Sequence, residues 1–173
     1  MANKYDEATV NFEVYLQKTR FLGIASVTLP TLAYLTQTTN GAGIAGNITT
    51  PILGQLDNMS MTINFRNFTD ECFNLAQPKV HTIELRAAVQ VEDVNGGITL
   101  QKVKHTMKVI PVSVNAGTLA PASTGDASGE YSVRYWKTTV DGITKMEVDP
   151  LNNILKVGST DYTAALRTAL GLT

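Results

Sequence analysis

The sequence predicts a mostly β protein: an antiparallel β-sandwich or β-barrel, with a short helix after its third strand and a second helix at its C-terminus. Three observations carry that expectation. Residues 58–66 alternate without a fault, Met59, Met61, Ile63 and Phe65 against Asn58, Ser60, Thr62, Asn64 and Arg66, the period of a half-buried strand. Asn95-Gly96 and Asp141-Gly142 each sit between runs rich in β-branched and aromatic residues, where a tight hairpin needs positive φ. Charged residues make up only 17% of the 173, and the formal net charge is −1, so many β-compatible faces are polar without being charged.

Taken in order, residues 10–17 alternate and read as a first strand. A turn at Lys18-Thr19-Arg20 leads into a long extended run over 21–39, with Pro30 marking an edge or a bulge. Residues 40–56 read as a glycine-containing loop. Within it Gly41-Ala42-Gly43-Ile44-Ala45-Gly46 matches the dinucleotide fingerprint formally, but the β-branched stretch before Pro51 is not the helix that fingerprint requires, so a flexible loop is expected. After the strand at 58–66, Thr69 caps a short helix with Asp70 and Glu71 in its first turn, and Phe68 and Phe73 stand at staple positions. Residues 80–91 and 98–114 form a hairpin through Asn95 and Gly96. Residues 115–129 are small, polar and aperiodic, the pattern of a mobile loop. The strand ending at Val140 turns through Asp141 and Gly142 into another at 143–148. The helix expected over 160–171 has Tyr162, Ala165, Leu166, Ala169 and Leu170 on one face, Ser159, Thr160 or Asp161 as cap, and Gly171 as its stop.

One domain over 1–173 is expected, with no internal repeat. A single cysteine, Cys72, excludes an internal disulfide. Residues 1–7 contain no apolar h-region, so no secretory leader is expected, and no window approaches the ~18 consecutive apolar residues of a membrane span. The two histidines, His81 and His105, have no partner at metal-ligand spacing, and Cys72 on an amphipathic helix reads as a buried structural thiol. No nucleophile elbow, P-loop or zinc-protease motif occurs. The expectation is a protein that is not an enzyme, with no catalytic, metal or cofactor site. Lys102, Lys104 and Lys108 form the sharpest charge feature, either a solvated strand face or a stripe facing a polyanion or an acidic neighbour. Polar, sparsely charged strand faces suit a wet channel or a surface covered by another chain, and ring closure would hide open strand edges.

Several short motifs keep a common order. They are Ser26-Val27-Thr28-Leu29-Pro30, the Gly41-Ala42-Gly43 loop ending at Gly46, Leu53-Gly54 before Met59-Ser60-Met61, Tyr135-Trp136-Lys137, Asp141-Gly142, Glu147-Val148-Asp149 and Asn152. In that order and spacing the chain resembles the major tail tube proteins of contractile-tailed phages and related contractile injection particles, along most of its length. The resemblance implies a self-assembling structural subunit forming hexameric rings, with four strands per subunit joined into one barrel around a channel. The rings stack into a hollow conduit for DNA or other cargo. By analogy the lumen strands fall at 23–38, 57–66, 98–112 and 130–140. The lumen-facing residues are then Ser26, Thr28, Tyr34, Thr36, Asn58, Ser60, Thr62, Asn64, Lys102, Lys104, Thr106 and Lys108. Loops carrying Gly41, Gly43 and Gly46, and Ala116, Gly117, Ser123 and Gly125, would touch neighbouring subunits or rings. The implied partners are further copies of the chain, a sheath protein, a tape measure, a baseplate and a tail terminator, with no membrane anchor. The implied location is the tail of a virion or phage-like particle assembled in a bacterial cytoplasm. Three lumen lysines would attract phosphate, so either glutamates neutralise them, that strand has the opposite parity, or the particle carries no DNA. The rival expectation is a monomeric β-sandwich binding module.

Overall fold

The computed structural model describes residues 4–17, 19–21 and 23–172. Among them the strands are β1 (Lys4–Leu16), β2 (Thr19–Phe21), β3 (Ile24–Thr28), β4 (Tyr34–Thr39), β5 (Ile48–Leu56), β6 (Ser60–Phe65), β7 (His81–Asp93), β8 (Ile98–Asn115), β9 (Ser128–Val140), β10 (Ile143–Asp149), β11 (Ile154–Val157) and β12 (Thr160–Asp161). Helix α1 (Asp70–Ala76) follows β6, and α2 (Ala164–Ala169) closes the described chain. All described pairings are antiparallel.

The main sheet runs β12-β11-β10-β9-β8-β7-β1-β2, and β4 with β5 makes a separate two-stranded sheet. The main sheet forks at β9. Its first half pairs with β6, which pairs in turn with β3, and its second half pairs with β10. β8 flanks both halves. The sheet is therefore open rather than closed into a barrel. Its two limbs share one core, in which Met61, Ile63 and Phe65 of β6 join Ile83 and Leu85 of β7, Met107 and Val109 of β8 and Tyr131, Val133 and Trp136 of β9. α1 adds Cys72 and Leu75 to the same cluster.

The alternation over 58–66 is realised as predicted, with Met59, Met61, Ile63 and Phe65 all buried. Asp141 and Gly142 have φ of 48° and 82°, the paired positive values of a type I′ turn. In the other hairpin, Asp93 Oδ1 accepts the N–H groups of Asn95 and Gly97 at 2.8 and 2.9 Å, and Gly96 takes φ 78°. The Phe68 and Phe73 rings meet edge-on at 4.4 Å, so the staple is present. Thr69 stands at the helix start, but its hydroxyl donates to Glu71 Oε2 at 2.6 Å instead of capping the backbone.

Four expectations need correction. The run over 21–39 is not one strand. It breaks at 29–33, where proline at buried position 30 supplies no ladder N–H, and β4 continues in the other sheet. The turn expected at 18–20 is also misplaced, because Thr19 and Arg20 already pair in β2; Lys18 lies outside the described residues. The 40–56 loop contains β5, so the glycines are the tip of a hairpin. The helix over 160–171 is shortened to Ala164–Ala169, because Thr160 and Asp161 pair with β11 and Thr163 takes the cap position.

Candidate assembly surfaces

β3, β6, β9 and the end of β8 form a four-stranded unit with two unlike faces. Cross-strand pairing aligns Thr28, Thr62, Glu130 and Ser113 in one row, and Ser26, Asn64, Ser128 and Asn115 in the next. Asn64 Nδ2 donates to Ser26 Oγ at 2.8 Å, and Ser132 Oγ donates to Asn58 Oδ1 at 3.1 Å, tying three strands across that polar face. The opposite face carries Met61, Ile63, Tyr131 and Val133 into the core. So Ser26, Thr28, Asn58, Ser60, Thr62 and Asn64 share one surface. Tyr34 and Thr36 do not join it, being exposed on the β4–β5 arm.

Lys102, Lys104, Thr106 and Lys108 continue the polar face along β8, beside Arg86 and Glu84 of β7 and Lys137 and Tyr135 of β9. Most of this stretch lies beyond the four-stranded unit, in the limb flanked by β7. Glu84 sits between two cations: it accepts from Arg86 Nε and lies 3.7 Å from Lys104 Nζ. Its hydrogen bond raises the Arg86 pKa, and the Arg86 guanidinium also lies 4.3 Å above the Tyr15 ring. Lys108 Nζ stands 5.5 Å from the Tyr135 ring centre, and the Tyr135 hydroxyl donates to Glu147 at 2.8 Å. Burial, and then the Glu147 carboxylate, push the Tyr135 pKa up to about 12. Of the lysine row, Lys104 therefore has an acid beside it, and Lys108 an aromatic ring.

The fork in β9 defines two ends of the four-stranded unit. At one end β8 passes into β9 through residues 116–127. The base of this loop is clamped: Thr118 N donates to Gly125 O at 2.7 Å, while Gly125 N donates to Arg66 O at 2.9 Å and to Asn67 Oδ1 at 2.8 Å. Gly117 has φ 80°, and a Cβ there would lie 1.9 Å from Gly125 O, so only glycine fits. Ala116 and Ser123 are exposed in the same loop, and Leu119 at its tip is 101% exposed. At the other end β3 leads out to the arm, whose root is closed by Asp57 N donating to Ala33 O at 2.9 Å. Gly41, Gly43 and Gly46 lie at the arm's exposed tip, between two strands, with no helix after them.

Two features of these surfaces escape the alternation pattern. No Lys, Arg, Asp or Glu lies between Arg20 and Asp57, yet Tyr34, Leu35, Ile44, Ile48, Ile52 and Leu53 of the arm are exposed. The uninterrupted absence of charge is the signal that marks it. Ser128, Glu130 and Ser132 extend the polar face onto β9, and their spacing is legible as a strand face. The register shifts between Lys108 and Val109, opposite Val133 to Tyr135, then move Tyr135 onto that face in place of Arg134.

Comparison with known proteins now decides the family. The model of the phage tail tube protein FII family matches residues 6–171. The chain belongs to that family. No curated protein sequence matches significantly. Among solved structures, this tail tube protein is similar to the sheath/tube terminator of an extracellular contractile injection system, PVC. That match has 14% identity and a TM-score of 0.55, and covers 78% of this chain and 97% of the other. It is also similar to the tube-terminating cap of the anti-feeding prophage, with 15% identity, a TM-score of 0.52 and coverage of 82% and 94%. A chain of the PVC sheath-tube complex matches with 16% identity and a TM-score of 0.50, covering 74% and 87%. At these identities the likeness is one of fold.

Proposed function

We propose that this tail tube protein assembles into hexameric rings whose four-stranded units join edge to edge around a central channel, and that the rings stack into a conduit for DNA or another cargo. One observation carries the reading. Among the described residues, the unit β3-β6-β9-β8 has two unused edges: β3 on one side, and β8 beyond Val109, where β7 no longer covers it. Because the four strands alternate in direction, β8 of one copy meets β3 of the next antiparallel, as every other junction in such a ring does. An unpaired edge is a liability for a monomer, and closure removes it. The polar, hydrogen-bonded face containing Ser26, Thr62 and Asn64 then lines the channel. Lys104 brings less attraction for phosphate than a bare cation would, since Glu84 lies 3.7 Å from it.

In this reading the partners are other copies within and between rings, and the sheath, tape measure, baseplate and terminator of a contractile tail or phage-like particle assembled in a bacterial cytoplasm. Negative-stain electron microscopy of the purified protein at low and high concentration tests it. Rings with a central hole, or stacked tubes, are the expected result. Compact monomers at every concentration, and still after baseplate components are added, refute it.

A further inference from the structure

Resting on that tube reading, we propose that Leu119 is a knob that seats in an apolar pocket beneath the β4–β5 arm of the next copy along the stack. The pocket has a volume of about 250 Å³ and is walled by Tyr34, Ile52, Leu53 and Gly54 of the arm, and by Leu155 and Tyr162. It is larger than one leucine side chain and has no charged wall. Leu119 is the converse shape: a fully exposed leucine held out on a loop whose base is fixed by the Gly117–Gly125 and Asn67 contacts. A clamped loop presents an apolar knob at little entropic cost on docking.

The register puts the two at opposite ends. The Leu119 loop bridges Asn115 and Ser128, the row shared with Ser26 and Asn64, whereas the arm departs after Thr28 and returns just before Ser60. Loop and arm therefore leave the four-stranded unit at opposite ends, so the knob of one copy is placed to meet the arm of another. Such a heterologous contact does not close, and repeats along an axis. The occupant follows from charge as well. The pocket walls are uncharged, and the only charged side chain in the loop, Asp126, accepts a hydrogen bond from Thr124 at 2.8 Å. Each surface fits the other better than it fits a charged partner.

Variants Leu119→Cys and Leu53→Cys, purified separately, mixed and mildly oxidised, test the contact; native Cys72 is buried. The mixture is expected to give covalent dimers absent from either variant alone, and the double variant a ladder of longer products. Leu119→Asp is expected to lose multi-ring stacks while keeping single rings. Stacks that form normally with Leu119→Asp, or stacks without cross-links in the mixture, overturn the knob and leave the tube reading intact. A wild-type protein that forms neither rings nor stacks, with baseplate components added as well as without, overturns the tube reading, and the knob with it.

Discussion

Gly129 and Tyr131 offer the sharpest test of how the core under the polar face is built. They lie two apart on β9, on its inward side, and the Tyr131 ring folds back across Gly129. A Cβ at 129 would lie 2.3 Å from the Tyr131 hydroxyl and 2.7 and 2.8 Å from two ring atoms. Tyr131 is fully buried, and its hydroxyl has no hydrogen-bond partner among the described residues. The ring is rigid and enclosed, so Gly129→Ala forces it aside. Overpacking of this kind costs about 1–3 kcal/mol, offset by about 0.4–1 kcal/mol from a stiffer unfolded chain. The net loss is about 1–2 kcal/mol, a fall in Tm of roughly 2–8 °C for a chain of this size. Tyr131→Phe removes an unpaired buried hydroxyl and should gain about 1 kcal/mol. In the double variant the closest contact is gone, so the effects should not add, with a coupling of about 0.5–2 kcal/mol. Urea unfolding at a concentration that keeps the protein monomeric, followed by Trp136 fluorescence, gives all four corners of the cycle. A neutral Gly129→Ala, or strict additivity, refutes the reasoning.

Other predictions follow from single groups. His105 Nδ1 lies 2.9 Å from Thr138 Oγ1 and 3.4 Å from Trp136 Nε1; the indole only donates, so Nδ1 is the acceptor and carries no proton. Burial lowers the His105 pKa, so the unfolded chain takes up the proton first: its contribution is present above the usual histidine value and is lost as pH falls toward the folded one. Thermal melts below pH ~6.5 should show that loss together with a change in Trp136 emission, and His105→Gln should flatten both; an unchanged slope counts against it. Arg167 donates to Asp161 Oδ2 at 2.6 Å and to Asn153 O at 2.8 Å, and holds the Asp161 pKa down to about 2. The stability this pair adds is present above the ordinary carboxylate value and disappears as pH falls toward 2, and Asp161→Asn should speed amide exchange in α2 at neutral pH while leaving β6 unaffected. Gly54→Ala should cost more than Gly96→Ala, because both have positive φ (73° and 78°) but only the first would press on Thr163 Cγ2, at 2.8 Å, and Leu166 Cδ2, at 3.2 Å. The backbone term alone is about 1–2 kcal/mol; equal losses in chemical denaturation would remove the close approach from the argument.

The elements legible in the sequence are those where one local rule decides. β6 shows its faces because every second residue is apolar and buried, and Asp141-Gly142 announces a turn because few other pairs tolerate two positive φ values. β5 was hidden for the opposite reason. Pro51 and Gly54 read as loop residues, but β5 is paired on one side only, and Gly54 is required by its approach to Thr163. The helical spacing of Tyr162, Ala165 and Leu166 predicts a longer α2 than forms, because the side chains of Asp161 and Thr163 take part in bonds that start the helix later. The polar face of the four-stranded unit is legible in parity but not in membership. Alternation gives Ser26, Thr62 and Lys104 a common face, yet it carries no information about which sheet a strand joins, and Tyr34 and Thr36 stand on the separate β4–β5 sheet.

Charge divides the molecule along the same lines as topology. Apart from Glu130, the acids and bases of the polar face gather on β1, β7, β8 and the second half of β9, where Glu84 pairs with Arg86 along β7 and with Lys104 across to β8. The arm, and the 116–127 loop up to Asp126, carry no charge. Surfaces that stay in water gain solubility from charge, while surfaces that are dehydrated on assembly lose by it, since each buried ion must be paired again. An exposed hairpin bearing Leu35, Ile48, Ile52 and Leu53 without a single charge is therefore a poor surface for a monomer and a suitable one for an interface. The open edges of β3 and β8 follow the same logic in the lateral direction. They give up nothing when a second copy supplies the missing strand, so one chain can satisfy its sides through backbone hydrogen bonds and its two ends through apolar contact.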